Sequence, residues 1–123
     1  MNKSEKIQWL AEPEEKDYPA AQSYLNLLYD DQQTRRLIAA LKAAPVRQFK
    51  AKDIFRASRL SLLGLSNFHI EKDRAKIRAA RSLSPILMVR DATNRWGVIA
   101  DGYHRLCAVY SFDEDASIPS KIV

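Results

Sequence analysis

The stretch VIADGYHRLCAVY, Val98 to Tyr110, constrains the fold more than any other part of this 123-residue chain. Val98, Ile99 and Ala100 read as the end of a strand, Asp101-Gly102 as its turn, and Tyr103 to Tyr110 as a helix that begins at once. A strand that passes straight into a helix needs a sheet for the one and a buried face for the other, and the rest of the sequence must supply both.

The flanking segments do so. PILMVRD is a short apolar strand, DATNRWG a hairpin connection and WGVIAD the partner strand. After the helix, DEDAS is a loop and IPSKIV a closing strand. VRQFK, following Pro45, alternates apolar and polar residues as a half-buried strand does. HIEKDRAKIRAARSL is a basic amphipathic helix with Ile70, Ile77, Ala80 and Leu83 inward. AKDIFRASRLSLLGLSN reads two ways: Ile54, Leu60, Leu63 and Leu65 are core-like, whereas Gly64, Ser66 and Asn67 signal a turn. Residues 45–123 are thus expected to form an α+β domain, a small mixed sheet with flanking helices.

Residues 1–44 read differently. EPEEKDYP is a polar lead-in, with Asp17 as N-cap and Pro19 in the first helical turn. Ala20, Ala21, Tyr24, Leu25 and Leu28 then share one helical face, and a second helix carries Leu37, Ile38 and Leu41. Two short amphipathic helices cannot bury their stripes alone, so they are expected as an N-terminal helical hairpin packed with the domain into one globular unit.

Composition narrows the class. Hydrophobic residues at 46% and charged residues at 28% describe a globular domain rather than a disordered one. No apolar run approaches the ~20 residues of a membrane span. MNKSEKIQWLAEPEEK lacks the pattern of a signal peptide, and Cys107 has no second cysteine to pair with. The expectation is a cytoplasmic protein with no membrane partner. A net charge of +5 suits a nucleotide phosphate or nucleic acid, and equally suits solvated charged faces, because the basic residues are spread out.

The turn itself carries a specific chemistry. A helix that opens directly after a glycine points unpaired N–H groups and the positive end of its dipole at one spot, which favours an anion. Gly102 lets a ligand approach the backbone closely. Arg105 suits a bidentate grip on phosphate, and His104 can donate to the same oxygens or exchange a proton near neutral pH. Asp101 is a candidate to cap the helix, hold a metal or orient a hydroxyl. The plainer alternative is a common Asp-Gly turn with an exposed His-Arg pair. Cys107, among Leu106, Ala108 and Val109, reads as a core thiol. His69, beside Glu71 and Asp73, reads as a surface or helix-start histidine rather than a zinc ligand. Trp96, Tyr110 and Phe112 read as packing residues, and Tyr103 is placed to meet a ligand.

ADGYHRLCAVY followed by IPSKIV resembles the ParB/sulfiredoxin superfamily, and the likeness extends back through PILMVRD, HIEKDRAKIRAARSL and VRQFKAKDIFRASRL. It covers residues 46–123 and leaves the helical extension outside. What it implies is a nucleotide phosphate site at the loop and helix start, with CTP, ATP or another nucleotide bound in different members. Gly102 matches the motif glycine, His104 the sulfiredoxin histidine and Arg105 the arginine, and Lys121 lies in a strand similar to the family's closing strand. Arg56 and Arg59 are candidates for a further phosphate-binding arginine. Two departures limit the likeness. Tyr103 stands where sulfiredoxin has its catalytic cysteine, which argues against sulfinic-acid repair, and the helix-turn-helix domain of ParB has no counterpart in this sequence.

The expected site is therefore Asp101 and His104 as catalytic residues and Gly102, Tyr103, His104, Arg105 and Lys121 as phosphate or nucleotide contacts, without a dedicated metal site. The ligand would be a nucleoside di- or triphosphate with Mg²⁺, and Arg105→Ala would abolish binding with the fold intact. A nucleic-acid-binding protein or ParB-like nuclease using the same cleft and the Lys72 to Arg81 helix, where neutralising Lys72, Lys76 and Arg78 would do more damage than Arg105→Ala, is the alternative. A non-catalytic interaction module, dimerising through the N-terminal helices, is the third.

Overall fold

Ile86-Leu87-Met88-Val89 is apolar at every position rather than at alternate ones, as expected of a strand covered on both faces. The computed structural model describes residues 7–61 and 68–123. In chain order its elements are β1 (Gln8–Trp9), α1 (Asp17–Leu25), α2 (Asp31–Ala43), β2 (Arg47–Lys50), α3 (Ala51–Ser58), α4 (Phe68–Arg78), β3 (Ser82–Leu83), β4 (Ile86–Asp91), β5 (Trp96–Asp101), α5 (Tyr103–Phe112) and β6 (Ser117–Ile122). The fold is α+β: a four-stranded mixed sheet in the order β2-β6-β4-β5, and a parallel two-stranded pair of β1 with β3.

The alternation of β4 divides the core. Ile86 and Met88 join Ile54, Ile70, Ile77, Leu106, Val109 and Ile118 beneath α3, α4 and α5. Leu87 and Val89 join Tyr18, Ala21, Leu25, Ile38 and Leu41 beneath α1 and α2. The N-terminal helices thus bury their stripes against the sheet itself. Antiparallel β5 meets β4 with Val89 opposite Val98, and the register shifts at the far end so that Leu87 faces Asp101. That shift gives β5 an extra residue at Ala100, a bulge just before the turn.

Several local expectations are corrected. Asp17 does not cap α1: Lys16 holds the cap position without a side-chain bond, and the Asp17 carboxylate turns inward, accepting a hydrogen bond from the Ser84 hydroxyl. Tyr24 and Leu28 are exposed, because the inward face of α1 runs through Tyr18, Ala21 and Leu25. Ala80 is exposed in the turn that ends α4, where its φ of 56° breaks the helical phase, and Leu83 is buried from β3 instead. AKDIFRAS forms α3 because Ala51, Ile54 and Ser58 fall on one inward stripe, while Leu60 beyond it is exposed. Leu63, Gly64, Leu65, Ser66 and Asn67 lie outside the described residues. Among the described residues, no helix is long and apolar enough to cross a membrane.

Candidate functional site

β5 delivers its last residue, Asp101, to the edge of the sheet, and Gly102 turns the chain into α5. Gly102 has φ 107° and stands at the N-cap of the helix, so the chain reverses in a conformation that a side chain strongly disfavours. A Cβ there would lie 2.9 Å from Cγ1 of Ile86 and 2.8 Å from Nη2 of Arg105, so the position also lacks room for one. No side chain caps α5 among the described residues. Its first N–H groups are those that open a helix without an intrahelical partner.

Opposite this turn lies α4. His69, Lys72, Asp73 and Lys76 recur at helical spacing, and together with Asp101 to Arg105 they line one pocket of about 190 Å³. Ile70 and Ile77, on the other side of the same helix, are in the core. The His69 and His104 rings lie 4.8 Å apart between the two helices. Lys72 and Lys76, expected in the nucleic-acid alternative to serve the same cleft as the turn, open on the same pocket as Gly102 and His104.

Arg105 is the structural centre of the turn. Its Nη2 donates to Oδ2 of Asp101 at 3.0 Å and to the Pro85 carbonyl at 3.3 Å, and lies 3.7 Å from Oδ2 of Asp17. Its Nε is buried and has no hydrogen-bond partner among the described residues. Replacement by alanine would therefore strip two largely buried carboxylates of their shared cation, so Arg105→Ala is not the fold-neutral change expected from the sequence. Burial pushes the Asp101 carboxyl above its ordinary range; the Arg105 guanidinium opposes this and the neighbouring Asp17 adds to it.

The remaining groups are shaped by burial as well. His104 is held below the usual histidine range, first by burial and then by His69, against the pull of Asp73. A neutral imidazole at pH 7 can accept a proton. Burial also raises Asp73, although Lys76, Arg105, His104 and Lys72 all act in the other direction. Tyr103 lines the pocket but directs its hydroxyl to Cys107, and burial followed by that contact pushes it up to about 12. Cys107 is itself buried, in the place expected of a core thiol.

Lys121 stands apart from this group. Its neighbour in the parallel β4–β6 pair is Leu87, which belongs to the face covered by α1 and α2. There Nζ donates to the Lys42 carbonyl at 3.0 Å, in the last turn of α2, and pairs with Glu12 at 3.2 Å. It satisfies a helix C-terminus rather than the pocket. Arg56 pairs with Asp53 and Arg59 lies over Trp96, so neither is brought to the turn. Tyr110 packs on Phe55, and Phe112 lies beneath Arg74.

Sequence reading thus found the α5 half of the pocket and, in its nucleic-acid alternative, set the Lys72 to Arg81 helix at the same cleft, but it did not place His69 and Asp73 there. The available signal was the spacing of His69, Lys72, Asp73 and Lys76, a polar stripe on a helix whose opposite side is apolar. Among the described residues, no group of three or more His, Cys, Asp or Glu is placed to hold a metal ion. Comparison with known proteins finds no match: no family model fits the chain, and neither a curated protein nor a solved structure matches it.

Proposed function

We propose that this chain is a nucleotide-binding protein of the ParB/sulfiredoxin type, holding a phosphate of a nucleoside di- or triphosphate in the pocket at DGYHR. The observation that carries this reading is the convergence of the α5 N-terminus, His104 and Arg105 with Lys72 and Lys76 on one small cavity. At about 190 Å³ the cavity suits a phosphate group and leaves the base outside. Mg²⁺ accompanying the nucleotide would find a hard oxygen donor in Asp101, since Mg²⁺ commonly takes one or two carboxylates along with phosphate oxygens and water. Hydrolysis or transfer of the phosphate is the chemistry these groups would support, with His104 able to accept a proton and Asp101 able to orient the attacking hydroxyl. A cytoplasmic location, with the lone thiol reduced, goes with this reading.

A second reading has its own observation. Lys72 and Lys76 place two cations on one side of α4, whereas Arg78 is turned away from them, pairing with Glu71 at 2.7 Å and lining a different pocket. A nucleic-acid strand lying along that helix would bind with an affinity that falls steeply with salt.

Thermal-shift titration with ATP, CTP, GTP and ADP, each with and without Mg²⁺, tests the first reading. A ligand at a hundred times its Kd adds ~2.7 kcal/mol to stability, which is readily seen as a higher melting temperature. The shift should vanish in His104→Ala and in a Lys72→Ala/Lys76→Ala double variant. No shift with any nucleotide, beside salt-sensitive binding of an oligonucleotide, would replace this reading with the second.

A further inference from the structure

Asp73 is an unusual group to find in an anion pocket. Its residue is 9% exposed and it lines the cavity. Among the described residues it takes part in no hydrogen bond or salt bridge, whereas Asp101 is tied to Arg105. Lys72 and Lys76 on its own helix, and His104 and Arg105 from α5, act on it only through space. His69, Asp101 and Tyr103 complete the titratable groups that line the pocket with it. The Asp73 oxygens, unlike the buried and unpartnered Nε of Arg105, keep contact with solvent, so a ligand that displaces that water has to bring a donor in its place, since leaving one unmade is costly. It would also repel a bare anion placed between the lysines and the α5 N-terminus. Both difficulties are removed by a ligand that is an anion and carries its own donor.

We propose that Asp73 accepts a proton carried by the ligand, which makes the pocket selective for a hydrogen-bearing phosphate, either inorganic phosphate or a terminal phosphate monoester, over sulfate and over phosphodiesters. This rests on the phosphate-site reading above and names the class of phosphate that the site takes. One proton lies between a carboxylate oxygen of Asp73 and a phosphate oxygen, and no covalent bond to phosphorus changes. Inorganic phosphate brings that proton throughout the neutral range. A monoester brings it below its second pKa of about 6 and must take it up from solution at higher pH. Sulfate and a diester have no such proton near neutrality.

The test is calorimetric titration of the full chain with inorganic phosphate, sulfate, methyl phosphate and dimethyl phosphate, at pH 8 and pH 6, in the presence of a chelator. Phosphate should bind at least about tenfold more tightly than sulfate at pH 8, the scale of one unmade hydrogen bond to a buried charge. Dimethyl phosphate should not bind. The preference for inorganic over methyl phosphate should shrink from pH 8 to pH 6; protonation of His104 strengthens both alike and cancels in that ratio. In Asp73→Asn the amide can donate to sulfate, so the phosphate-to-sulfate ratio should collapse towards one, a change that a merely structural residue would not cause. The wild-type ratios stand whether or not that variant folds. A nucleoside monophosphate and a 5′-phosphorylated oligonucleotide then tell a free nucleotide from a strand end, and tight binding of either supports the monoester. Equal affinity for phosphate and sulfate would overturn the proposal while leaving the anion pocket in place. Selectivity that appears only on adding Mg²⁺ would overturn it by giving the carboxylate to the metal. Failure of every anion to bind would overturn the phosphate site itself.

Discussion

Gly102→Ala should be among the most damaging single-methyl changes available to this chain. Two separate costs arise at the same carbon. The backbone φ of 107° is one that a side chain rarely adopts, and holding a non-glycine residue there costs about 1–3 kcal/mol. The added Cβ would also lie 2.9 Å from Cγ1 of Ile86, a fully buried residue of the central strand that has nowhere to go. Its other close neighbour, Nη2 of Arg105 at 2.8 Å, is the atom that holds Asp101 and the Pro85 carbonyl. Gly97→Ala is the matched control. That glycine has no positive φ, and its Cβ would meet the mobile end of Met88 at 3.1 Å and the Ala57 methyl at 3.3 Å. We expect a loss of about 2–4 kcal/mol for Gly102→Ala and under about 1 kcal/mol for Gly97→Ala in urea denaturation at pH 7. Phosphate binding should fall in the first and persist in the second. Losses of equal size, or a Gly102→Ala protein that keeps both its stability and its binding, would refute the claim that this turn is shaped for glycine.

Three further outcomes follow from other groups. Because burial raises Asp73 in the folded protein, its contribution to stability is present at low pH and lost as pH rises through that raised value. Asp73→Asn should therefore be more stable than the parent at pH 7, by about 1 kcal/mol, with the gap closing near pH 4 in thermal melts at the two pH values. Arg105→Ala should cost about 2–4 kcal/mol at pH 7 and less at pH 4, where protonation of Asp101 removes part of the unpaired charge; adding Asp101→Asn should recover part of the loss. Lys121→Met should cost about 1–3 kcal/mol by leaving the Lys42 carbonyl without its donor, and should leave phosphate affinity within about twofold of the parent, as titration would show.

The second half of the fold was legible in the sequence because its signals are local. PILMVRD, WGVIAD and IPSKIV are strands bounded by turn residues, and they form β4, β5 and β6 within a residue or two. β1 was not legible: two residues, Gln8 and Trp9, become a strand only because Ser82 and Leu83 lie beside them, and nothing local announces a pairing across that distance. Asp17 shows the same limit at the site. Ahead of Pro19 an acidic residue has the pattern of a helix cap, and its inward turn is decided by Ser84 and Arg105, far along the chain. Lys121 illustrates strand parity, since one residue's shift in a strand exchanges its faces, and here its amine serves α2. The pocket was half legible. The Gly102 turn has a one-dimensional signature, but its meeting with Asp73 and Lys76 is made by the packing of α4 on α5.

Asp17 belongs to the first helix, yet it counterbalances the arginine at the heart of a turn nearly ninety positions later. The Ser84 hydroxyl that it accepts from also takes the Glu14 amide at 3.0 Å, so the lead-in and the residue before Pro85 are fastened together directly behind the pocket. A chain trimmed to begin at residue 45 would keep every pocket-lining residue and still lose this backing. Arg105 would retain Asp101 and lose Asp17, and the face of the sheet formed by Leu87, Val89 and Ala100 would be opened to water. The helical extension is thus a rear wall to the binding turn: the smallest unit able to hold the pocket in shape is longer than the stretch that lines it.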